Sequence, residues 1–236
     1  MKKFIIANWK MNPETLTEAS QLFSSVAEGI KEIKNTEVVV CPPYIYFSIF
    51  NSSVVHEQQL LKNIKIGAQN SSWEEKGAFT GEISPLMLKE LGTEYVIIGH
   101  SERRKYFGET DEMVNKKIIS LLKQELNPIL CIDNMAQLKK DLAGINREEF
   151  KKIIIAFEPI SAIGTGNPYD LEGAEKMRNL IKSVLEEETS ILYGGSVNSQ
   201  NAAGFIEKAG FQGLLIGGAS LNPKEFIKII DSLEKN

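Results

Sequence analysis

IIIAFEPISAIGTGNP, residues 153–168, changes character twice within sixteen positions. The run from Ile153 to Phe157 is short and continuously apolar, which reads as a strand buried on both faces, as strands of a parallel sheet are. From Ser161 to Asn167 the chain is built of small, glycine-punctuated residues and reads as a loop. Asp170 then caps a helix with Leu171, Ala174, Met177, Leu180, Ile181, Val184 and Leu185 on one face. The unit is strand, loop, helix. Glu158 stands where strand meets loop, and a carboxylate there is costly if it is dry and unpaired.

The same unit recurs along the chain. Apolar runs fall at 4–8 (FIIAN), 38–41 (VVVC), 64–69 (IKIGAQ), 95–100 (YVIIGH), 127–132 (NPILCI), 153–158, 191–195 (ILYGG) and 213–218 (GLLIGG). Amphipathic segments lie between them. Thr15 and Glu18 fit a capping box ahead of a face carrying Leu16, Ala19, Leu22, Phe23 and Val26. Pro223 suits a first helical turn before Phe226, Ile227 and Ile230. The segment 134–152 reads as a short helix, a break near Gly144–Asn146 and a further turn. Strand–helix alternation argues for a parallel sheet, and eight such units in 236 residues predict an α/β fold, a (β/α)8 barrel, as one domain over 1–236. An open doubly wound sheet of the dinucleotide-binding kind would need G-x-G-x-x-G after the first strand, where this chain has WKMNP.

Bulk properties narrow the function. Hydrophobic residues make up 42% of the chain and charged residues 25%, which supports one large core and argues against disorder. A net charge of −4 gives no support to a nucleic-acid surface, while leaving room for a small-anion site made of backbone amides. Cys41 and Cys131 are the two cysteines, too few for a disulfide-stapled scaffold and unsuited to a metal site, which favours a reducing compartment. No apolar run approaches a membrane span, and FIIA is too short for a signal-peptide core, so a cytoplasmic protein with no membrane partner is expected.

In a barrel of this kind function gathers at the C-terminal ends of the strands. Those positions hold Asn8 and Lys10, then His100, Ser101 and Glu102, then Glu158, then Gly194, Gly195 and Ser196, then Gly217 and Gly218. Taken singly, each has a plain reading: a solvated lysine, a hydrogen-bonded histidine, an ion-paired glutamate, ordinary glycine turns. Taken together they place a base, a histidine, a lysine and several glycine-rich turns on one barrel face. YGGSVNSQN and IGGASLNP can present bare amides to an anion after strands 7 and 8, where barrels bind phosphate. Gly164–Thr165–Gly166 can add an amide from a mobile loop.

The segments ANWKMN (7–12), GAQN (67–70), GAFTGEIS (77–84), VIIGHSERR (96–104), EP followed by AIGTG (158–166), YGGSV (193–197) and IGGASL (216–221) resemble those of the triosephosphate isomerase family, in order and over essentially the whole chain. The resemblance implies a (β/α)8 TIM barrel that interconverts dihydroxyacetone phosphate and D-glyceraldehyde 3-phosphate without cofactor or metal. It implies Glu158 as the base, His100 as the electrophile, Lys10 as the compensating cation and Asn8 as a positioning donor. Phosphate would lie on amides of Gly164, Ser196, Gly217 and Gly218 under a closing loop, with Ser101 and Glu102 in support. Thr80, Glu82 and Arg103 match positions at the family's dimer interface, implying a homodimer.

Three departures stand out. Ser161 occupies a first-hinge position where many family members have tryptophan, and Asn167–Pro168–Tyr169 form an unusual second hinge. After Cys131–Ile132 the family's usual Gly-Glu is replaced by Asp133–Asn134, and the region that follows is short. The sequence also admits two other readings. One is a different sugar-phosphate isomerase or aldolase, although a Schiff-base lysine would sit within a strand end rather than after Trp9. The other is a barrel that has lost catalysis and serves in binding, which predicts damage to the catalytic set.

Overall fold

A computed structural model describes residues 3–30, 33–51, 64–185 and 188–234. Eight parallel strands close on themselves in sequence order: β1 (Lys3–Asn8), β2 (Thr36–Cys41), β3 (Ile64–Ala68), β4 (Tyr95–Ile98), β5 (Asn127–Ile132), β6 (Ile154–Phe157), β7 (Ile191–Gly194) and β8 (Gly213–Ile216). β1 pairs with β8 as well as β2, so the sheet has no free edge. The (β/α)8 barrel expected from the alternation of apolar runs is the fold, and each strand falls inside or beside its run.

Around it, among the described residues, lie helices α1 (Leu16–Gly29), α2 (Ser48–Asn51), α3 (Pro85–Glu90), α4 (Ser101–Phe107), α5 (Asp111–Lys123), α6 (Met135–Asp141), α7 (Leu171–Lys182), α8 (Ala202–Glu207) and α9 (Pro223–Glu234). Their starts follow local chemistry. The Thr15 hydroxyl accepts from the Glu18 amide while the Glu18 carboxylate accepts from the Thr15 amide, the capping box read from sequence. Asp170 accepts from the Gly173 amide at 2.7 Å, and Pro223 opens α9. The broken segment after β5 is α6, Gly144 at φ 73°, and a 3-10 turn at Arg147–Lys152. Two residues assigned to buried faces point outward: Leu16 and Leu180 are 52% exposed each. Leu16 is the first residue of α1, before the helix settles onto the barrel. Leu180 lies on α7 next to Ile181, which takes the buried place.

Alternation along the strands separates two apolar layers. Ile6, Val39, Ile97, Ile129, Cys131, Ile154, Ala156, Leu192 and Leu215 fill the barrel interior. Their neighbours Ile5, Ala7, Val96, Ile98, Leu130, Ile155, Phe157, Tyr193 and Leu214 pack outward with the helices. This parity decides what reaches the barrel mouth. Extending the inward set by two residues leads from Ile6 to Asn8, from Ala156 to Glu158, from Leu192 to Gly194 and from Leu215 to Gly217.

Candidate active site

Asn8, His100 and Glu158 are each only 5% exposed although they lie at the open end of the barrel. With Lys10, Gly164, Gly166, Gly195, Ser196, Asn198, Gly217 and Gly218 they line one cavity of about 280 Å³. All eight sequence-assigned catalytic and phosphate-binding residues, from five different strand ends, meet there. Ser101 and Glu102 lie beside it, lining an adjoining cavity of about 560 Å³ that shares Glu158 and Gly164 as walls. Thr80, Glu82 and Arg103 lie outside both.

His100 breaks the parity rule. Val96 and Ile98 of β4 face the helices, so simple alternation would send His100 outward. Gly99 intervenes at φ 69°, the left-handed region, and turns the chain. A side chain there would also strike the Arg104 guanidinium, 2.6 Å from a Cβ placed on Gly99. The Arg104 Nε donates to the Gly99 carbonyl at 2.7 Å and its other nitrogens to Asp111 and Asp141, so the turn is held from below. His100 then becomes the N-cap of α4: its Nδ1 accepts from the Glu102 amide at 3.3 Å. Its Nε2 lies 3.2 Å from Glu158 Oε1.

This arrangement selects a tautomer. Burial pulls the pKa of His100 down, and the carboxylates of Glu158 and Glu102 push it up past its usual value. A charged ring needs protons on both nitrogens, and Nδ1 is already an acceptor for a helix N-terminal amide. The neutral ring with its proton on Nε2, donated to Glu158, satisfies both neighbours. For Glu158, burial raises the pKa, while the charge His100 carries when protonated, hydrogen bonding to its neighbours and the Lys10 ammonium together more than offset it. The carboxyl is held below its ordinary value and is ionised at neutral pH. It is a dry carboxylate whose Oε2 is buried without a hydrogen-bond partner. Gly194 gives it room: a Cβ at that position would stand 2.9 Å from Glu158 Cγ.

Lys10 is brought in by an unusual backbone. Its φ is 54°, and the Asn8 side chain accepts from its amide at 3.0 Å, closing a tight turn. Left-handed backbone costs a non-glycine residue about 1–2 kcal/mol, so the turn places the ammonium rather than stabilising the fold. The Nζ lies 2.5 Å from Glu102 Oε1, with side-chain exposures of 30% and 38%. A partly exposed pair contributes about 0–1 kcal/mol; its consequence here is that one glutamate orients both Lys10 and, through its amide, His100.

The loop after β6 is fastened across the cavity. The Ser196 hydroxyl donates to the Ala162 carbonyl at 2.6 Å and accepts from the Gly166 amide at 3.1 Å. The Tyr169 amide donates to the Tyr193 hydroxyl at 2.9 Å. Ser196 itself has φ 47°. Gly164 and Gly166 adopt φ 69° and 78° with open space where a Cβ would stand, so backbone conformation accounts for glycine there. Sequence reasoning took Cys131 as a small buried hydrophobe. It also faces the barrel interior, where it helps hold the Glu158 carboxyl below its ordinary value, a neighbour that the inward parity of Ile129 and Cys131 points to. Tyr193 and Asp133 were likewise not singled out as supports of the loop. Among the described residues no group of three or more His, Cys, Asp or Glu side chains could hold a metal ion.

A buried carboxylate, an imidazole and a lysine, facing glycine-rich turns at the mouth of a (β/α)8 barrel, are the groups of an enzyme able to move protons on a small anionic substrate. Comparison with known proteins gives the family. The family model described as triosephosphate isomerase matches residues 3–233. Curated relatives named triosephosphate isomerase include those of Dictyoglomus turgidum, 42% identical over 98% of this chain and 99% of the relative, and Caldanaerobacter subterraneus subsp. tengcongensis, 43% identical over 98% and 100%. That of Aquifex aeolicus is 41% identical over the same shares, 98% and 100%. The chain belongs to the triosephosphate isomerase family and is an isomerase.

Proposed function

We propose that Glu158 is the base and His100 the electrophile with which this isomerase interconverts dihydroxyacetone phosphate and D-glyceraldehyde 3-phosphate, a step of glycolysis and gluconeogenesis. The observation that carries the assignment is the Glu158–His100 contact inside a buried cavity that also holds Lys10. Glu158 removes a proton from the carbon beside the carbonyl. The C–H electron pair becomes the C=C bond and the carbonyl oxygen takes the negative charge. The Nε2 proton of His100 and the Lys10 ammonium stabilise that oxygen, and Asn8 positions Lys10 and the substrate. His100 passes its proton to the first oxygen and takes one from the second; Glu158 returns a proton to the neighbouring carbon. This family is the reference case for a neutral histidine in that role.

Amides of Gly164, Ser196, Gly217 and Gly218 hold the phosphate, and residues 160–169 form a lid. Its bonds to Ser196 and Tyr193 support a closed form that excludes water from the enediolate. The intact catalytic set speaks against a barrel that has lost catalysis. A coupled assay of the purified protein with D-glyceraldehyde 3-phosphate tests the reading, since an aldolase or a binding protein gives no dihydroxyacetone phosphate.

Residues 1–236 act as one domain, supported by the packing of α9 against α1 that joins the chain's two ends. The assembly is a homodimer. The segments following the adjacent strands β1 to β4 carry Met11, Ile45, Phe79 and Phe107, with exposures of 93, 76, 46 and 71%. Thr80 and Glu82 are exposed on the same segments, and Arg103, which donates to Glu109 of its own chain at 3.3 Å, lies on α4 beside Phe107. Such an apolar surface fits a second copy. Sedimentation of the wild type against Phe79→Glu tests this: the wild type runs as a dimer and the variant as a monomer. Among the described residues no helix is long and apolar enough to cross a membrane, and both cysteines are free and buried, which supports a cytoplasmic location.

A further inference from the structure

We propose that Asp133 is a positioning residue for catalysis, whose carboxylate anchors the first hinge of the lid and so fixes the backbone that aims Glu158. Asp133 is the first residue after β5. Its Oδ1 accepts the Ile160 amide at 3.0 Å, across the gap between β5 and β6. Two residues earlier the Glu158 amide donates to the Ile132 carbonyl at 2.8 Å. The β5–β6 ladder runs to the pair Ile132 and Phe157. The carboxylate therefore acts as one further acceptor beyond the end of the strand, on the residue next but one to the base.

Asp133 is itself held by two neighbouring side chains. Its amide donates to the Gln137 side chain at 2.8 Å, and Asn134 Nδ2 reaches its second oxygen at 3.4 Å. Asn134 in turn caps α6, accepting from the Ala136 and Gln137 amides at 3.0 and 3.1 Å. The anchor is thus tied to a barrel strand and a helix, not to a loose loop. Across the hinge, Ala162 is fastened to Ser196 at the end of β7. The short 3-10 turn Ile160–Ala162 that follows β6 is pinned at its start by a residue from β5 and at its end by one from β7.

Pro159 and Ala162 are buried at the two ends of the turn, but packing does little for its middle. The Ile160 side chain is 61% exposed, Ser161 is exposed, and the turn borders the larger cavity lined by Ile132, Asp133 and Gln137. A hinge whose middle residues bury little apolar surface depends on its hydrogen bonds there. The two departures noted in the sequence, Ser161 in the hinge and Asp133 after β5, are then one arrangement: a polar anchor serves a hinge that brings no large side chain to pack.

The inference rests on reading 160–169 as the lid over Glu158, and its test separates the two. Asp133→Ala, Asp133→Asn and Glu158→Gln are assayed for kcat, KM and the fraction of turnovers that release methylglyoxal and phosphate. That fraction belongs to active molecules alone, so it is independent of how much protein is folded. Asp133→Ala lowers kcat/KM about tenfold, as expected for one lost hydrogen bond to a charged acceptor, and raises the methylglyoxal fraction. Asp133→Asn, whose amide oxygen accepts the same N–H, stays near wild type. Wild-type kcat, KM and product fraction in Asp133→Ala overturn the proposal, as does an Asp133→Asn enzyme as impaired as Asp133→Ala. Glu158→Gln with undiminished turnover overturns the site reading instead.

Discussion

Gly99 at φ 69° turns His100 back into the barrel mouth, where its Nε2 meets Glu158 Oε1 at 3.2 Å. Strand parity alone would place the histidine among the helices, while it places Glu158 inside. One glycine therefore unites the two groups proposed to exchange protons with the substrate. A Cβ at 99 has nowhere to go and the wrong φ, so Gly99→Ala is expected to displace His100, lowering kcat about 10²-fold or more, in the range of general acid–base contributions. Kinetics together with near-ultraviolet circular dichroism check it: kcat falls while the native signal remains.

Lys10 separates backbone strain from chemistry. Lys10→Gly and Lys10→Ala both remove the ammonium and its contact with Glu102, and both abolish most activity. They differ in backbone. At φ 54° glycine is relaxed and alanine is not, so Lys10→Gly is expected to be more stable than Lys10→Ala by about 1 kcal/mol. Urea denaturation of the two variants measures the difference, and equal midpoints contradict the strain.

Tyr193 and Ser196 hold the lid from β7 and the turn that follows it. Tyr193→Phe keeps the ring, which stacks on Phe205 at 3.7 Å, and removes only the acceptor for the Tyr169 amide. The lid then opens more readily. The expected result is a kcat/KM about tenfold lower, the scale of one hydrogen bond, with unchanged thermal stability and a larger share of methylglyoxal. Product analysis of single variants checks this.

Asp141 gives a pH signature away from catalysis. Burial raises its pKa to about 7, against the opposing pull of Arg104, whose guanidinium donates to it at 2.6 Å. A carboxyl with a raised folded-state pKa favours folding while protonated, and that contribution is lost as pH rises from the unfolded value near 4 to about 7. Asp141→Asn stays neutral throughout. Its melting temperature relative to wild type is therefore expected to rise as pH goes from 4 to 7, and a constant difference across that range contradicts the shift.

Much of this was legible in the sequence because barrels put strand ends together. The apolar runs located the strands, the caps Thr15 and Asp170 and the first-turn Pro223 located helix starts, and strand ends alone collected Asn8, Lys10, His100, Glu158, Ser196, Gly217 and Gly218. What escaped is long-range and depends on direction. The Asp133–Ile160 bond joins positions 27 apart through a side chain to an amide. The Cys131 thiol looks like a core atom until parity points it at Glu158. Leu16 and Leu180 fit an apolar helical stripe whose edge the barrel does not cover.

The central claim is that Glu158 carries the proton between substrate carbons. The most direct measurement follows D-glyceraldehyde 3-phosphate with wild type and Glu158→Gln in D₂O, reading deuterium in the dihydroxyacetone phosphate formed. Wild type is expected to give product carrying solvent deuterium on the newly protonated carbon, and Glu158→Gln, still folded, to form product about 10²–10⁴-fold more slowly. A folded Glu158→Gln variant that turns over at the wild-type rate contradicts the account.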